Sequence, residues 1–226
     1  VIICTYNRSE SLKSTLESLL KQETDGSFNY EILVIDNNSK DNTKDIVKDS
    51  MSLFKGKLKY FFEQNQGLSY ARNRGIKEAK GEIIAFTDDD VILDKYWIKN
   101  IFICFEKYHC DAIGGRVLPL YNDSTPIWVK QNKDILNGPI PCHDYGENIT
   151  LYQERMLPFI GANMAFKKYC FVECGLFRID LGSGKGYMGD DTEFFIRLKR
   201  ADKKLYYCGN VLLYHKVENS RVEFKY

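Results

Sequence analysis

The sequence predicts an α/β fold in which a mostly parallel, Rossmann-like sheet is flanked by helices. Short apolar runs alternate with amphipathic helical patterns through the first half, and strands that are apolar throughout are typical of a sheet covered on both faces. Polar residues follow three of these runs, at the edge where α/β sheets bind ligands. The second half is less regular and contains all five prolines.

The first half contains four predicted strands and three predicted helices. The strands are Val1–Cys4, Glu31–Asp36, Leu58–Phe62 and Glu82–Phe86. A helix with apolar residues at Leu12, Leu16, Leu19 and Leu20 follows the first strand, a second passes through Ile46 and Val47, and a third covers Leu68–Ala79. Polar segments stand after three strands, at Thr5–Arg8, Asp36–Asn37 and Asp88–Asp90.

The second half begins with a predicted helix, Tyr96–Tyr108, and a strand, Ala112–Val117. Leu118–Leu157 carries prolines and aromatic residues without a helical period, so we expect an irregular surface region there. The later predicted segments are Phe159–Lys167, a short helix near Lys168–Glu173, a glycine-rich loop at Leu181–Gly189, a helix at Asp191–Ala201, and strands at Leu205–Cys208 and Val211–Tyr214.

Composition excludes several classes of protein. The 226 residues, 44% of them hydrophobic, suffice for one domain. Lys and Arg number 32 against 31 Asp and Glu, which argues against a polybasic nucleic-acid binder. No apolar run approaches the roughly 18–20 residues that a membrane helix needs. Because the chain begins with Val1, inside the first predicted strand, we expect a piece of a longer protein.

The seven cysteines are scattered and odd in number, which favours a reducing compartment over a disulfide framework. Cys170 and Cys174 lie one helical turn apart, but no second pair at metal-ligand spacing completes a zinc site. We therefore interpret the cysteines as buried free thiols.

Asp88–Asp90 is the most informative motif. Three adjacent carboxylates after an apolar strand repel one another unless a cation neutralises them, and hard divalent ions prefer oxygen ligands. An acidic turn that caps a helix starting near Asp94 explains the same residues. The triplet alone leaves both interpretations open.

Two features near the C-terminal end also have two interpretations each. Asp190 and Asp191 open a helix, with Asp190 as its predicted N-cap, and a carboxylate fixed at a helix terminus is also well placed as a general base. His215, at the end of a strand, is either structural or a metal ligand. The preceding Gly184–Gly189 fits G-x-G-x-x-G, but no strand precedes it and the following aspartates would repel a pyrophosphate, so we reject a dinucleotide site.

These motifs together resemble the family 2 glycosyltransferases, over nearly the whole chain and in order. Those enzymes have the GT-A fold. The matching segments are Val1–Arg8, Val34–Ser39 with Asp41 and Thr43, Asn65–Gly67 with Ala71–Asn73 and Gly75, Asp88–Asp90, Gly161–Met164, and Gly189–Asp191 with Glu193.

The resemblance implies a role for each matching residue. Asp191 would be the catalytic base with Asp190 as its acidic neighbour, and Asp90 with His215 would bind Mn²⁺ or Mg²⁺. Asp88 and Asp89 would face the ribose and the donor sugar, and Tyr6 with Thr5 the nucleotide base. The full set expected around the nucleotide-sugar is Thr5, Tyr6, Arg8, Asp36, Asn37, Gly67, Arg72, Asp88, Asp89 and Asn163.

The implied activity is inverting transfer of a sugar from a nucleotide diphosphate to an acceptor hydroxyl. We expect one GT-A domain, in which residues 1–117 bind the nucleotide-sugar and residues 118–226 bind the acceptor and supply the base. UDP is the first expectation, although Asn37 stands where many UDP-using members carry Asp. The acceptor would be a saccharide or lipid-linked saccharide in surface polysaccharide or glycoconjugate synthesis.

The implied location is the cytoplasm, at the inner face of the membrane, with any peripheral membrane association made by regions outside this chain. Two other functions stay open. A sugar-nucleotide nucleotidyltransferase would need a glycine-rich loop after the first strand, and Cys4–Arg8 has no glycine. A non-catalytic carbohydrate-binding relative would not need the acidic residues.

Overall fold

The computed structural model describes residues 1–131, 140–184 and 188–218. Its strands are β1 (Ile2–Thr5), β2 (Ile32–Asp36), β3 (Leu58–Phe62), β4 (Ile83–Thr87), β5 (Val91–Leu93), β6 (Ala112–Leu120), β7 (Ile149–Leu151), β8 (Asn163–Lys167) and β9 (Leu205–Lys216). Its helices are α1 (Ser9–Leu20), α2 (Thr43–Met51), α3 (Leu68–Glu78), α4 (Trp97–Tyr108), α5 (Ile127–Gln131), α6 (Tyr169–Glu173) and α7 (Asp190–Arg200).

The strands form one sheet in the order β3-β2-β1-β4-β8-β6-β9-β5, with β7 paired to β9. The neighbours β3, β2, β1 and β4 are all parallel, as the alternation of apolar runs and helices predicts. Strand β8 runs antiparallel to both β4 and β6. Its first residue, Asn163, therefore pairs with Thr87 at the carboxyl end of β4.

Both faces of the sheet are covered, which confirms the predicted α/β architecture. One core cluster joins Ile3 and Val34 of the sheet to Leu12 of α1 and Trp97 of α4. On the other face, the rings of Phe171 from α6 and Phe194 from α7 stack with centroids 5.0 Å apart. Each large side chain buried in this way contributes roughly 1.5–3 kcal/mol to folding.

The structure differs from the sequence-based prediction along β9. The two predicted strands, Leu205–Cys208 and Val211–Tyr214, are one strand. Gly115 of β6 pairs with Cys208, and the next residue, Arg116, pairs with Leu212, so the residues of β9 between Cys208 and Leu212 are accommodated by a shift in register. A Cβ at Gly209, within that shift, would collide with the backbone of Gly146 and Glu147. A glycine at position 209 is therefore needed for the close packing of these two segments.

The region predicted to be irregular contains more structure than expected. It holds the end of β6, the short helix α5 and the strand β7, while the three-residue strand β5 was not predicted. Residues 132–139 of this region, and 185–187 of the glycine-rich loop, lie outside the described residues. All seven cysteines are described and none forms a disulfide. No helix in the described ranges has the length and hydropathy of a membrane span.

Candidate active site

The sheet register brings three of the predicted polar segments to one edge. Thr5 pairs with Asp36, and Ile3 pairs with Thr87, so the carboxyl ends of β1, β2 and β4 lie side by side. In open α/β sheets, ligands bind beyond these strand ends.

Asp88, Asp90 and His215 form a cluster that could hold a metal ion. One ligand atom from each lies within 4.8 Å of the others. The Nε2 atom of His215 is 3.4 Å from Oδ2 of Asp88 and 3.3 Å from Oδ1 of Asp90. The strand pairing explains the contact, because Val91 of β5, directly after Asp90, pairs with His215 of β9.

The donor set suits Mn²⁺ or Mg²⁺ chemically, since carboxylate oxygens and a neutral imidazole nitrogen are ligands that divalent ions accept. Burial lowers the pKa of His215, but the carboxylates of Asp88 and Asp90 outweigh burial and raise it. Asp88 was expected to face the donor sugar, and the structure instead groups it with the two residues expected to bind metal.

Asp89 is buried, at 6% exposure, as is its neighbour Asp90. The Oδ1 atom of Asp89 lies 3.7 Å from Nη1 of Arg8. Burial raises the pKa of Asp89 to about 7, and the neighbouring charge of Asp90 adds to the shift. The contact of Thr5 and Asp89 with the nucleotide-sugar stays a prediction.

Arg8 lies at the edge of the metal cluster. Its Nη1 atom is 2.5 Å from Oδ2 of Asp90, and its Nη2 atom is 3.1 Å from Oε1 of Glu218. Burial by itself lowers the pKa of Arg8, but the negative charges of Asp89, Asp90 and Glu218 outweigh burial and raise this pKa. The guanidinium therefore stays charged. Sequence reasoning missed Glu218, because its link to Arg8 depends on where β9 ends in the fold.

Asp36 and Asn37 hold the backbone of the loops that follow β2 and β3. Asp36 accepts hydrogen bonds from the backbone of Ser39 at 2.8 Å and from the hydroxyl of Tyr60 at 2.7 Å. Asn37 accepts one from the backbone N–H of Gly67 at 2.8 Å and donates to the carbonyl of Asn65 at 2.6 Å. Both are buried, and their direct contact with base and ribose stays a prediction.

Gly67 has a structural reason to be glycine. It precedes α3 with φ of 136°, a backbone conformation that residues with a side chain rarely adopt. Its N–H is already bound to Asn37. The expected contact of Gly67 with the nucleotide therefore does not run through this N–H.

Tyr6 is the predicted base-stacking residue, and its ring is 46% exposed. The next residue, Asn7, has φ of 51° and is held from both sides. Its N–H donates to Oγ of Ser39 at 2.9 Å, and its Oδ1 accepts from the N–H of Lys40 at 2.7 Å. These bonds tie the loop after β1 to the loop after β2 and fix the backbone that presents Tyr6.

Arg72 and Asp190 form a buried ion pair with each other, and Ser69 donates a second hydrogen bond to Asp190 at 3.3 Å. Burial lowers the pKa of Arg72, but Asp190 and then Asp191 outweigh it and raise that pKa. The approach of Arg72 to the nucleotide and the catalytic part of Asp190 stay predictions.

Asp191 differs from its neighbour. Its Oδ2 atom accepts a hydrogen bond from the N–H of Gly161 at 2.9 Å, its Oδ1 atom accepts one from Thr192 at 2.7 Å, and the residue remains half-buried. The N-cap of α7 is Gly189, with φ of 100°, and not Asp190 as predicted. A Cβ at Gly161 would collide with the guanidinium of Arg72. The missing side chain therefore lets this backbone reach Asp191.

Asn163 is an internal cross-link, at 1% exposure. Its Oδ1 atom accepts from Nε1 of Trp97 at 2.9 Å, and its Nδ2 atom donates to the carbonyls of Arg116 and Val211 at 2.9 and 2.8 Å. Both amide protons are used within the protein, and the contact of Asn163 with the nucleotide-sugar stays a prediction.

Comparison with known proteins decides the family. A family model described as glycosyl transferase family 2 matches residues 1–175. The chain belongs to glycosyltransferase family 2. A curated relative of this family 2 chain is the glucosyl-dolichyl phosphate glucuronosyltransferase of Haloferax volcanii, which is 27% identical over 99% of this chain and 71% of its own length.

Solved structures confirm the GT-A fold. TarS of S. aureus in complex with UDP-GlcNAc superposes with a TM-score of 0.74 and 18% identity, over 99% of this chain and 58% of that one. The mannosyltransferase PcManGT of Pyrobaculum calidifontis, in complex with GDP-Man and Mn²⁺, superposes with a TM-score of 0.66 and 18% identity. That match covers 95% of this chain and 55% of that one, so this chain spans little more than half of each solved relative.

Proposed function

We propose that this chain is the catalytic domain of an inverting glycosyltransferase that uses a nucleotide-diphosphate sugar. The half-buried carboxylate of Asp191 carries the proposal, because a short backbone path joins it to the Asp88–Asp90–His215 cluster. Gly161, which binds Asp191, is two residues from Asn163, and Asn163 pairs with Thr87, directly before Asp88. This path supports a proposed base and a candidate cation site at the same edge of the sheet.

The reaction is a single displacement. The acceptor hydroxyl oxygen forms a bond to the anomeric carbon while the bond from that carbon to the diphosphate oxygen breaks with its electron pair. The hydroxyl proton passes to the carboxylate of Asp191, which Gly161 and Thr192 hold by their N–H groups. Attack opposite the leaving group inverts the configuration of the sugar.

Asp88, Asp90 and His215 would hold Mn²⁺ or Mg²⁺, which supplies electrostatic stabilisation of the departing diphosphate when bound. The mannosyltransferase PcManGT is described in complex with Mn²⁺, which supports this proposal. Arg8 contributes a further positive charge beside the same cluster.

UDP is the proposed nucleotide, supported by the description of TarS with UDP-GlcNAc, and the exposed ring of Tyr6 is the proposed stacking surface for the base. The acceptor is proposed to be a saccharide or lipid-linked saccharide, as the name of the Haloferax relative suggests. Residues 1–117 would bind the donor, and residues 118–226 the acceptor. Reduced cysteines suit a cytoplasmic enzyme, working at the inner membrane face where lipid-linked acceptors are used.

A panel of UDP- and GDP-sugars, each incubated with the protein and Mn²⁺, tests the proposal. Release of UDP or GDP without any added sugar phosphate supports a glycosyltransferase. Release of pyrophosphate from a nucleoside triphosphate and a sugar 1-phosphate would support the nucleotidyltransferase alternative. Sugar binding without turnover of any donor would support the carbohydrate-binding alternative.

A further inference from the structure

Arg8 forms two ion pairs at once, one through each terminal nitrogen of its guanidinium. Nη1 contacts Asp90, a member of the candidate metal cluster, and Nη2 contacts Glu218, which follows β9. The side chains of Asp90 and Glu218 differ in environment, at 3% and 42% exposure. Arg8 itself is 33% exposed. The guanidinium therefore has an inner, buried partner and an outer, solvated one.

The inner contact puts a positive charge where a divalent ion would be repelled. The Oδ1 atom of Asp90 contacts His215, and its Oδ2 atom contacts Arg8. Arg8 also lies 3.7 Å from Asp89. Without a cation, the buried carboxylates of Asp89 and Asp90 would face each other unneutralised. When no divalent ion is bound, the guanidinium of Arg8 supplies a positive charge to these carboxylates.

We propose that Arg8 is an internal cation of the candidate metal centre, which competes with the divalent ion for Asp90 and keeps only its ion pair with Glu218 when the ion binds. The inference rests on the proposed function, because it concerns the same metal cluster. Arg8 is then a positioning residue for the metal. Glu218 is the outer partner that keeps the guanidinium after it leaves Asp90.

Binding of Mn²⁺ to the nucleotide-free protein tests the competition, by titration calorimetry or by the paramagnetic resonance signal of free Mn²⁺. Arg8→Gln should tighten Mn²⁺ binding by about tenfold, because even in water a guanidinium a few ångströms from a divalent ion opposes binding by about that factor. Arg8→Lys keeps the charge and should stay within about threefold of the wild type. Lys48→Gln, an exposed change on α2, controls for loss of any positive charge.

Glu218→Gln should weaken Mn²⁺ binding by about threefold, the range expected for an exposed ion pair. Removing a negative charge near the cluster would weaken Mn²⁺ binding even without Arg8. The double variant Arg8→Gln, Glu218→Gln distinguishes the two causes. If Glu218 acts through Arg8, Glu218→Gln has no effect on Mn²⁺ affinity in the Arg8→Gln background. An undiminished effect in that background overturns the role of Glu218.

Weaker or unchanged Mn²⁺ binding by a folded Arg8→Gln protein, checked by circular dichroism, overturns the competition. If that variant does not fold, tenfold tightening by Arg8→Lys would show that charge is not the cause and would equally overturn it. Binding of UDP to the wild type distinguishes a failure of the proposed function from a failure of the Arg8 inference. A protein that binds neither UDP nor Mn²⁺ contradicts the proposed function as well, whereas normal UDP and Mn²⁺ binding with no tightening in Arg8→Gln contradicts the inference alone.

Discussion

Asp190 and Arg72 form an ion pair in which both side chains are at most 5% exposed, directly beside the backbone of Gly161. The adjacent carboxylate, Asp191, is bound by the N–H of that same glycine and stays half-buried. Two neighbouring acids of one helix therefore have separate tasks. Asp190 fixes the start of α7 against α3, and Asp191 is the proposed base.

Asp190→Asn should lower the free energy of unfolding by about 3–5 kcal/mol, because it leaves the guanidinium of Arg72 buried without its charged partner. Asp191→Asn is the matched control and should cost about 1 kcal/mol or less. Urea unfolding of both variants at one pH measures the difference. Equal losses would contradict the division of tasks between the two acids.

The divalent ion should link the acidic cluster to nucleotide binding. In the wild type, UDP should bind at least about tenfold more tightly with Mn²⁺ than with EDTA, because Asp88, Asp90 and His215 would hold the ion and its charge would attract the diphosphate. Asp90→Asn and His215→Ala should each remove most of this difference. Calorimetric titration of UDP measures it, and equal affinity of the wild type under both conditions would show that the metal has no part in binding.

Tyr6→Ala should weaken donor binding, because stacking of a ring on a base contributes roughly 1–3 kcal/mol. The effect should appear in the donor KM more than in kcat, since stacking is present in the ground and transition states alike. Tyr6→Phe keeps the ring and should resemble the wild type. A pure kcat defect in Tyr6→Ala, with unchanged donor affinity, would contradict a stacking role.

His143 gives the structure a pH dependence. Burial lowers the pKa of His143, although its contacts with the carbonyls of Gly115 and Leu157 oppose the shift. The unfolded chain therefore binds a proton more readily than the folded one, and stability is lost as pH falls below the unfolded value of about 6.5.

The test compares thermal unfolding of the wild type with that of His143→Gln between pH 7.5 and pH 5. Gln does not titrate, so the loss of Tm on acidification should be smaller in the variant, whatever other groups contribute to both proteins. An equal or larger loss in the variant would show that His143 is not the cause.

The sequence was a good guide to the fold and to the place of the site, because strand ends and helix starts are local features. Alternating apolar runs predict β1–β4, and their polar ends predict the edge where Asp88 and Asp90 lie. The partners of these residues are not local. Asp190, and not Asp191, forms the ion pair with Arg72, which lies on another helix. The cross-link from Asn163 to Trp97 depends on the antiparallel pairing of β8 with β4. Composition and spacing carry no information on such contacts.

The most direct test of the proposed mechanism measures Asp191→Asn in two ways, by UDP affinity from calorimetry and by transfer rate at saturating donor. The substitution keeps the shape and the hydrogen-bond acceptor toward Gly161 but removes the ability to take the acceptor proton. We predict unchanged UDP affinity and a transfer rate lower by about 10²–10⁴-fold, the loss expected for a general base. Transfer near the wild-type rate would contradict the assignment of Asp191 as the base.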